Sequence, residues 1–207
     1  MTAAAPAPVS PAVATATRPT GRLSVLAGIA APALFGVYGV IRLLPGSRQP
    51  GPGWTVGHLC LLGALLTFGV VFRDLYRVLA ERGRVAAVLG YGTAMVGTAT
   101  GVGQVLIDLY SGFRADTLAE QNRFFAEVQS YPGVLPIFYQ VLPVFFHLGL
   151  LAMVIVLAVR RRLPFWSPLA ILAGVVAMAA SMDMMTVGVA FYALALLPLY
   201  RQASRQA

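Results

Sequence analysis

Asp108 ends a row of residues spaced for one face of a helix: Gly90, Ala94, Gly97, Gly101, Gln104 and Asp108. At about 100° per residue all of them fall within roughly 40° of the direction of Gly90. Small residues mark helix contacts in membranes, so the acid is expected to point where they point, into the protein. An apolar setting disfavours the ionised form of a carboxylic acid, and a neutral acid can donate a proton as a general acid. An inward-facing intramembrane acid is therefore a candidate site by default. Asp183 is the second candidate acid. His58, Gln104, Gln140, Phe138, Tyr139 and Phe191 are candidate substrate contacts, because amides and imidazole can orient a polar group and aromatic faces can stabilise a developing cation. Each also has a plainer reading. His58 can anchor a helix end, Asp183 can cap a turn, the glutamines can join helices, and the rings can form an interfacial belt.

These residues need a scaffold, and composition names it. The 207 residues are 58% hydrophobic and 11% charged, against about 25% charged in an ordinary soluble domain. Residues 1–22 read as a disordered Ala/Pro-rich tail, with no cleavable signal peptide, because the first long apolar run starts after Arg22 and continues into the body of the chain. Apolar runs long enough to span a bilayer cover Leu23 to Leu44, Trp54 to Phe72, Val85 to Tyr110, Val134 to Val159 and Phe165 to Leu199. The last run, about 35 residues at about 1.5 Å each, would reach about 52 Å across a core of about 30 Å. It is expected to be a hairpin turning near Ser181 to Met184. The predicted fold is all-α, a polytopic membrane bundle of about six helices: a single domain over 23–200 with an outer loop at 111–133, followed by a short basic tail at 201–207.

Charge tests the helix count. Six spans with a cytoplasmic N-terminus put Arg18, Arg22, Arg73, Arg77, Arg82, Arg84, Arg160, Arg161, Arg162, Arg201 and Arg205 inside, and Arg42, Arg48, Arg114 and Arg123 outside. Five spans would move Arg201 and Arg205 outside and weaken that asymmetry, so both termini are expected in the cytoplasm. The chain is expected in the inner (plasma) membrane of a bacterium. The net charge of +8 then serves topology, and lipid rather than nucleic acid is the expected partner. Lone Cys60 excludes an intramolecular disulfide. No HExxH, CxxC or zinc spacing occurs, and no metal or cofactor is expected. Gly101-Val102-Gly103-Gln104 lies within a membrane segment with no preceding strand and is not a nucleotide loop. Gly97 and Gly101 form a GxxxG pair that predicts close packing, within the chain or in a homo-oligomer. Asp74 is expected to have a structural role, pairing with Arg77 across one turn or with a neighbouring loop. The connection Ser111 to Pro132 offers a short amphipathic helix, a lid or a plain surface helix.

Alternating span directions place His58, Gln104, Asp108, Gln140 and Asp183 in the outer half of the membrane. His147 lies on the Gln140 face but deeper, as a satisfied buried histidine or a proton relay. An axial offset of about 13 Å between the two histidines argues against a shared haem.

Asp183 followed by Phe191 and Tyr192 on the last helix resembles the small integral-membrane terpene cyclases, compact helical bundles that protonate an isoprenoid alkene or epoxide. The resemblance covers about the last 20 residues. It implies acid catalysis by Asp183; the family also carries a Glu after Trp on an earlier helix, and this chain has no Trp-Glu pair, with Asp108 as the deputy for that Glu. The family has seven spans against six here. The outline equally resembles six-span bacterial membrane proteins of unknown function. The alternatives to an enzyme are a non-enzymatic accessory protein and a proton-coupled small-solute carrier, although no paired broken helices mark inverted repeats.

Overall fold

Each apolar run is helical in the computed structural model, which describes residues 21–81 and 83–204. Residues 1–20, Arg82 and residues 205–207 lie outside it, and with them nearly all of the expected N-terminal tail, the end of the basic tail, and Arg18, Arg82 and Arg205. The helices are α1 (Arg22–Arg42), α2 (Pro52–Ala80), α3 (Arg84–Arg114), α4 (Leu118–Ser130), α5 (Val144–Val159), α6 (Trp166–Ala180) and α7 (Met185–Ser204). A π-helical stretch, Val134–Val141, leads into α5, and a 3-10 turn, Met182–Met184, leads into α7.

Among the described residues, five segments are long and apolar enough to cross a membrane: α1, α2, α3, Val134–Val159 and Met182–Arg201. The apolar α6 has 15 residues, about 22 Å of helix against a core of about 30 Å. The long final run breaks where Ser181 leaves the helical region with φ −161° and ψ 137°, so α6 and α7 fold back on each other. Leucines and valines such as Leu23, Leu26, Leu89, Val159 and Leu169 are exposed. An apolar exterior of this extent suits a lipid-facing surface.

Six of the described helices form a ring. α1 packs on α2, α2 on α3, α3 on α5, α5 on α6, α6 on α7, and α7 returns to α1. Neighbours run antiparallel. α2 and α5 also meet across the centre, where Phe146 sits edge-on to Phe68 and Phe72 with ring centroids 5.1 Å apart in each pair.

Close approach between helices is set by glycine. A Cβ on Gly97 would land on the Phe146 backbone of α5, and one on Gly149 would land on Ala94. Gly101 faces Leu65 of α2. Gly97 and Gly101 of α3 thus pack against neighbouring helices of the same chain, one of the two uses expected for them.

Alternating directions gather Arg22, Arg73, Arg77, Arg84, Arg160, Arg161, Arg162 and Arg201 at one end, and Arg42, Arg48, Arg114 and Arg123 at the other. Asp74 corrects an expectation. It is fully buried, its nearest guanidinium is that of Arg73 at 3.7 Å, and it hydrogen-bonds Ser24 of α1, while Arg77 contributes only longer-range attraction. Burial of its face against α1, which spacing along α2 does not reveal, decides this.

In the connection after α3, α4 forms as an amphipathic helix. Thr117 caps it, its hydroxyl accepting from Glu120 N at 3.3 Å, while Glu120 Oε2 accepts from Asp116 N at 2.9 Å. Such reciprocal bonds satisfy orphan donors at a helix start. The following π-helical stretch begins at Gly133, whose φ of +82° favours glycine. Pro143 carries no N–H, so the regular bond to the Tyr139 carbonyl cannot form. Leu142 N instead donates to Ile137 O at 2.9 Å, one residue further back than in an α-helix. Such wide turns recur at functional sites.

Candidate functional site

The first turns of α2 and the last turns of α3 meet at the Asp108 end of the bundle. Trp54 and His58 are four residues apart and so share a face of α2. Their rings stack with centroids 4.0 Å apart and 34° between planes. The Trp54 indole Nε1 donates to the Asp108 main-chain oxygen at 2.8 Å, and the Ser111 hydroxyl donates to the same oxygen at 2.7 Å. Gly112 makes room for this, since a Cβ there would lie 2.5 Å from the indole. The backbone of Asp108 is thus pinned from two sides before its side chain is considered.

The side chain faces His58. His58 Nε2 lies 3.5 Å from Asp108 Oδ2, and His58 Nδ1 lies 2.7 Å from the Trp54 carbonyl oxygen. A carbonyl only accepts, so Nδ1 carries hydrogen and donates to it. Nε2 is then left to face the carboxyl group, and a proton placed between the two has two arrangements open to it. Either a neutral acid donates to Nε2, or an imidazolium Nε2–H donates to the carboxylate. At 3.5 Å the contact is longer than an ordinary hydrogen bond, and a small approach closes it.

Access to the pair is one-sided. The His58 side chain is 6% exposed and that of Asp108 22%. Tyr38 packs edge-on to His58 at 5.4 Å, and Phe125 of α4 lies 6.2 Å from Trp54. Buried Gln121 of α4 donates to the Ser111 hydroxyl at 3.3 Å, which ties α4 to the turn that carries Asp108. The buried hydroxyl of Tyr139, on the π-helical stretch, has no hydrogen-bond partner. A buried donor without a partner is a group still available to a ligand.

The other expected site residues are dispersed. Gln104, one turn from Asp108 on α3, donates to the Phe138 carbonyl at 2.5 Å, and the Phe138 ring lies over Gly103. That pair fastens the π-helical stretch to α3. Gln140 is exposed, and Phe191 packs at the edge of the apolar core. Asp183 does not engage Asp108. Its Oδ1 accepts from Arg48 Nη2 at 2.6 Å and lies 3.6 Å from Arg42 Nε. His147 Nδ1 pairs with the Tyr192 hydroxyl at 2.7 Å, so the two histidines have separate partners.

Trp54, Tyr38, Arg42, Arg48 and Ser111 were not anticipated as parts of the site. The Trp54–His58 spacing was a usable signal, and so was the placement of Arg42 and Arg48 at the end that the positive-inside rule depletes of arginine.

Five helical segments of spanning length, packed with the shorter α6 into a closed ring with an apolar exterior, define an all-α, polytopic integral membrane protein. Comparison with protein-family models, with curated proteins and with solved structures found no match.

Proposed function

We propose that the protein is a membrane-embedded acid–base catalyst in which Asp108 and His58 move a proton to and from a lipid-soluble substrate. The observation that carries this reading is the His58 Nε2–Asp108 Oδ2 contact of 3.5 Å, with the imidazole oriented by the Trp54 carbonyl. An acid and a base sharing one proton can deliver it at one point of a substrate and recover it at another. The reaction class is the protonation of an isoprenoid alkene or epoxide, as in the membrane terpene cyclases that the last helix resembles. The Asp108 O–H gives its proton to an alkene carbon or to an epoxide oxygen and leaves a carboxylate. The resulting cation loses a proton to His58 Nε2, which returns it to Asp108, so the net change is an isomerisation. Tyr139 supplies its unpartnered hydroxyl. Asp183 enters as the counter-ion of Arg48 and Arg42.

A one-ended site is favoured over a proton-coupled carrier by the filling of the bundle. Phe68, Phe72 and Phe146 occupy the centre between the dyad and the opposite end. The arginine-rich end, with both termini, is assigned to the cytoplasm by the positive-inside rule, which puts Asp108 on the outer side of the plasma membrane.

Membranes containing the protein, incubated in D2O with a panel of isoprenoid alkenes and epoxides, should yield from an alkene a product carrying one solvent deuterium on carbon, and from an epoxide a rearranged alcohol with no deuterium on carbon. Asp108→Asn and His58→Gln should abolish both while the protein accumulates normally. Unchanged turnover in Asp108→Asn would sink the proposal.

A further inference from the structure

The same end of the bundle holds a second feature that proton transfer does not use. The last turn of α1 and the loop after it line an open surface pocket of about 370 Å3, with Arg42, Arg48 and Gln49 on its polar side and Leu43, Leu44 and Leu118 on its apolar side. Small-molecule sites run from about 300 to about 1,000 Å3. We propose that this pocket binds the phosphate group of a membrane lipid. The inference stands on the arginine pocket alone and would survive failure of the acid–base reading.

Three observations carry it. Two guanidiniums converge on a single carboxylate oxygen, Asp183 Oδ1, at 2.6 and 3.6 Å, so one positive charge is left uncompensated within the cluster. Arg48 Nε also donates to the Arg42 carbonyl at 3.1 Å, which holds the two arginines together. A guanidinium offers five N–H donors in a planar fork that matches phosphate oxygens, and most of the donors here remain open. Asp183, 46% exposed, occupies the place of an external anion without being locked there.

The second observation is the rim. Leu43, Leu44 and Leu118 are exposed large apolar residues beside the arginines, at the boundary of a bundle whose sides are apolar throughout. A free phosphate ion has no use for them, whereas a phosphate carried on an acyl or prenyl chain does. The third is position. Arg42 and Arg48 lie at the arginine-poor end of the bundle, and they also wall a small cavity of about 10 Å3 that reaches Trp54 and His58. A lipid phosphate held by the arginines would sit next to the dyad.

Binding can be read without turnover. The purified full-length protein in a neutral maltoside detergent is mixed with dioleoyl phosphatidic acid, dioleoylglycerol or inorganic phosphate, and followed by thermal unfolding and native mass spectrometry. Phosphatidic acid should raise Tm and remain bound, and the other two should do neither. Arg48→Gln and Arg42→Gln should each weaken phosphatidic acid binding about tenfold, the size expected for one lost charge-assisted hydrogen bond. Arg48→Lys, which keeps the charge and removes the fork, covers the case in which the glutamine variant fails to fold. Asp183→Asn should tighten binding, because the competing carboxylate is gone. An ion pair that only staples the loop to α7 predicts the reverse, so weaker binding in Asp183→Asn overturns the proposal. Equal stabilisation by dioleoylglycerol overturns it as well, and binding of inorganic phosphate as tight as that of the lipid transfers the pocket to a soluble anion.

Discussion

Gly97→Ala is the sharpest test of how the site is held, because a single methyl group is added where two backbones touch. The new Cβ would lie 2.6 Å from Phe146 Cα and 2.7 Å from Phe145 C, and closer still to Phe146 N, against an ordinary contact of 3.4–4 Å. No flexible side-chain tip can yield, since the obstacle is the main chain of α5. The helices must part by roughly 1 Å, and a gap of that size forfeits about a quarter to a half of each dispersion contact along the seam. That seam includes Gly90 against Met153 and Gly149 against Ala94. Overpacking of this kind costs about 1–3 kcal/mol, and a backbone obstacle places the cost near the top of that range. Gly92→Ala is the control, with nothing within 4 Å of its new Cβ. Unfolding of the purified protein by increasing fractions of sodium dodecyl sulfate in mixed micelles, followed by circular dichroism, reads both. Gly97→Ala should lose about 2–3 kcal/mol, and Gly92→Ala should stay within about 0.5 kcal/mol of the parent. Equal stability of the two variants would refute the assigned packing of α3 on α5.

Other perturbations address the site directly. Trp54→Phe keeps an aromatic ring beside His58 but removes the donor to the Asp108 carbonyl. It should cost about 1 kcal/mol in the same unfolding assay and lower deuterium incorporation into product without abolishing it. Gln121→Ala removes the bond from α4 to Ser111, and hydrogen exchange read by mass spectrometry should quicken over Leu118–Ser130 while the core of α2 stays protected. Tyr192→Phe leaves His147 Nδ1 without its hydroxyl partner in a tightly packed interior, at a cost of about 1–3 kcal/mol. Because His147 and Asp108 have separate partners, that variant should retain product formation. Loss of turnover in a stably folded Tyr192→Phe would return His147 to the mechanism.

Depth along the bundle axis was legible in the sequence, and lateral order was not. Hydropathy located the spans and the break at Ser181, and alternation of direction then put His58, Gln104, Asp108 and Asp183 at one end, where the structure has them. The periodicity of α3 also showed that Asp108 shares a face with the residues that approach α2 and α5. Helical spacing, however, fixes a residue's angle only about its own axis. It cannot say that α1 closes the ring against α7, and so it could not show that Asp183 meets Arg42 and Arg48 rather than Asp108. The π-helical stretch was invisible for a related reason. Its hydropathy is continuous with α5, and only the hydrogen-bond register, shifted ahead of Pro143, separates the two.

The separation of the two acids changes what kind of chemistry the bundle end supports. Two carboxyl groups sharing one cavity would divide protons between themselves. Here each acid has a basic partner of different character: an imidazole that exchanges protons for Asp108, and guanidiniums that do not for Asp183. The first pair suits proton movement, and the second suits holding an anion. Both open onto the end where the positive-inside rule makes arginine scarce, and Arg42 and Arg48 wall the cavity that reaches His58. A ligand with an anionic head and an apolar chain is the molecule that would use both pairs at once. Phosphatidic acid binding and deuterium transfer can be measured separately, and dependence of transfer on Arg42 would join them into one site.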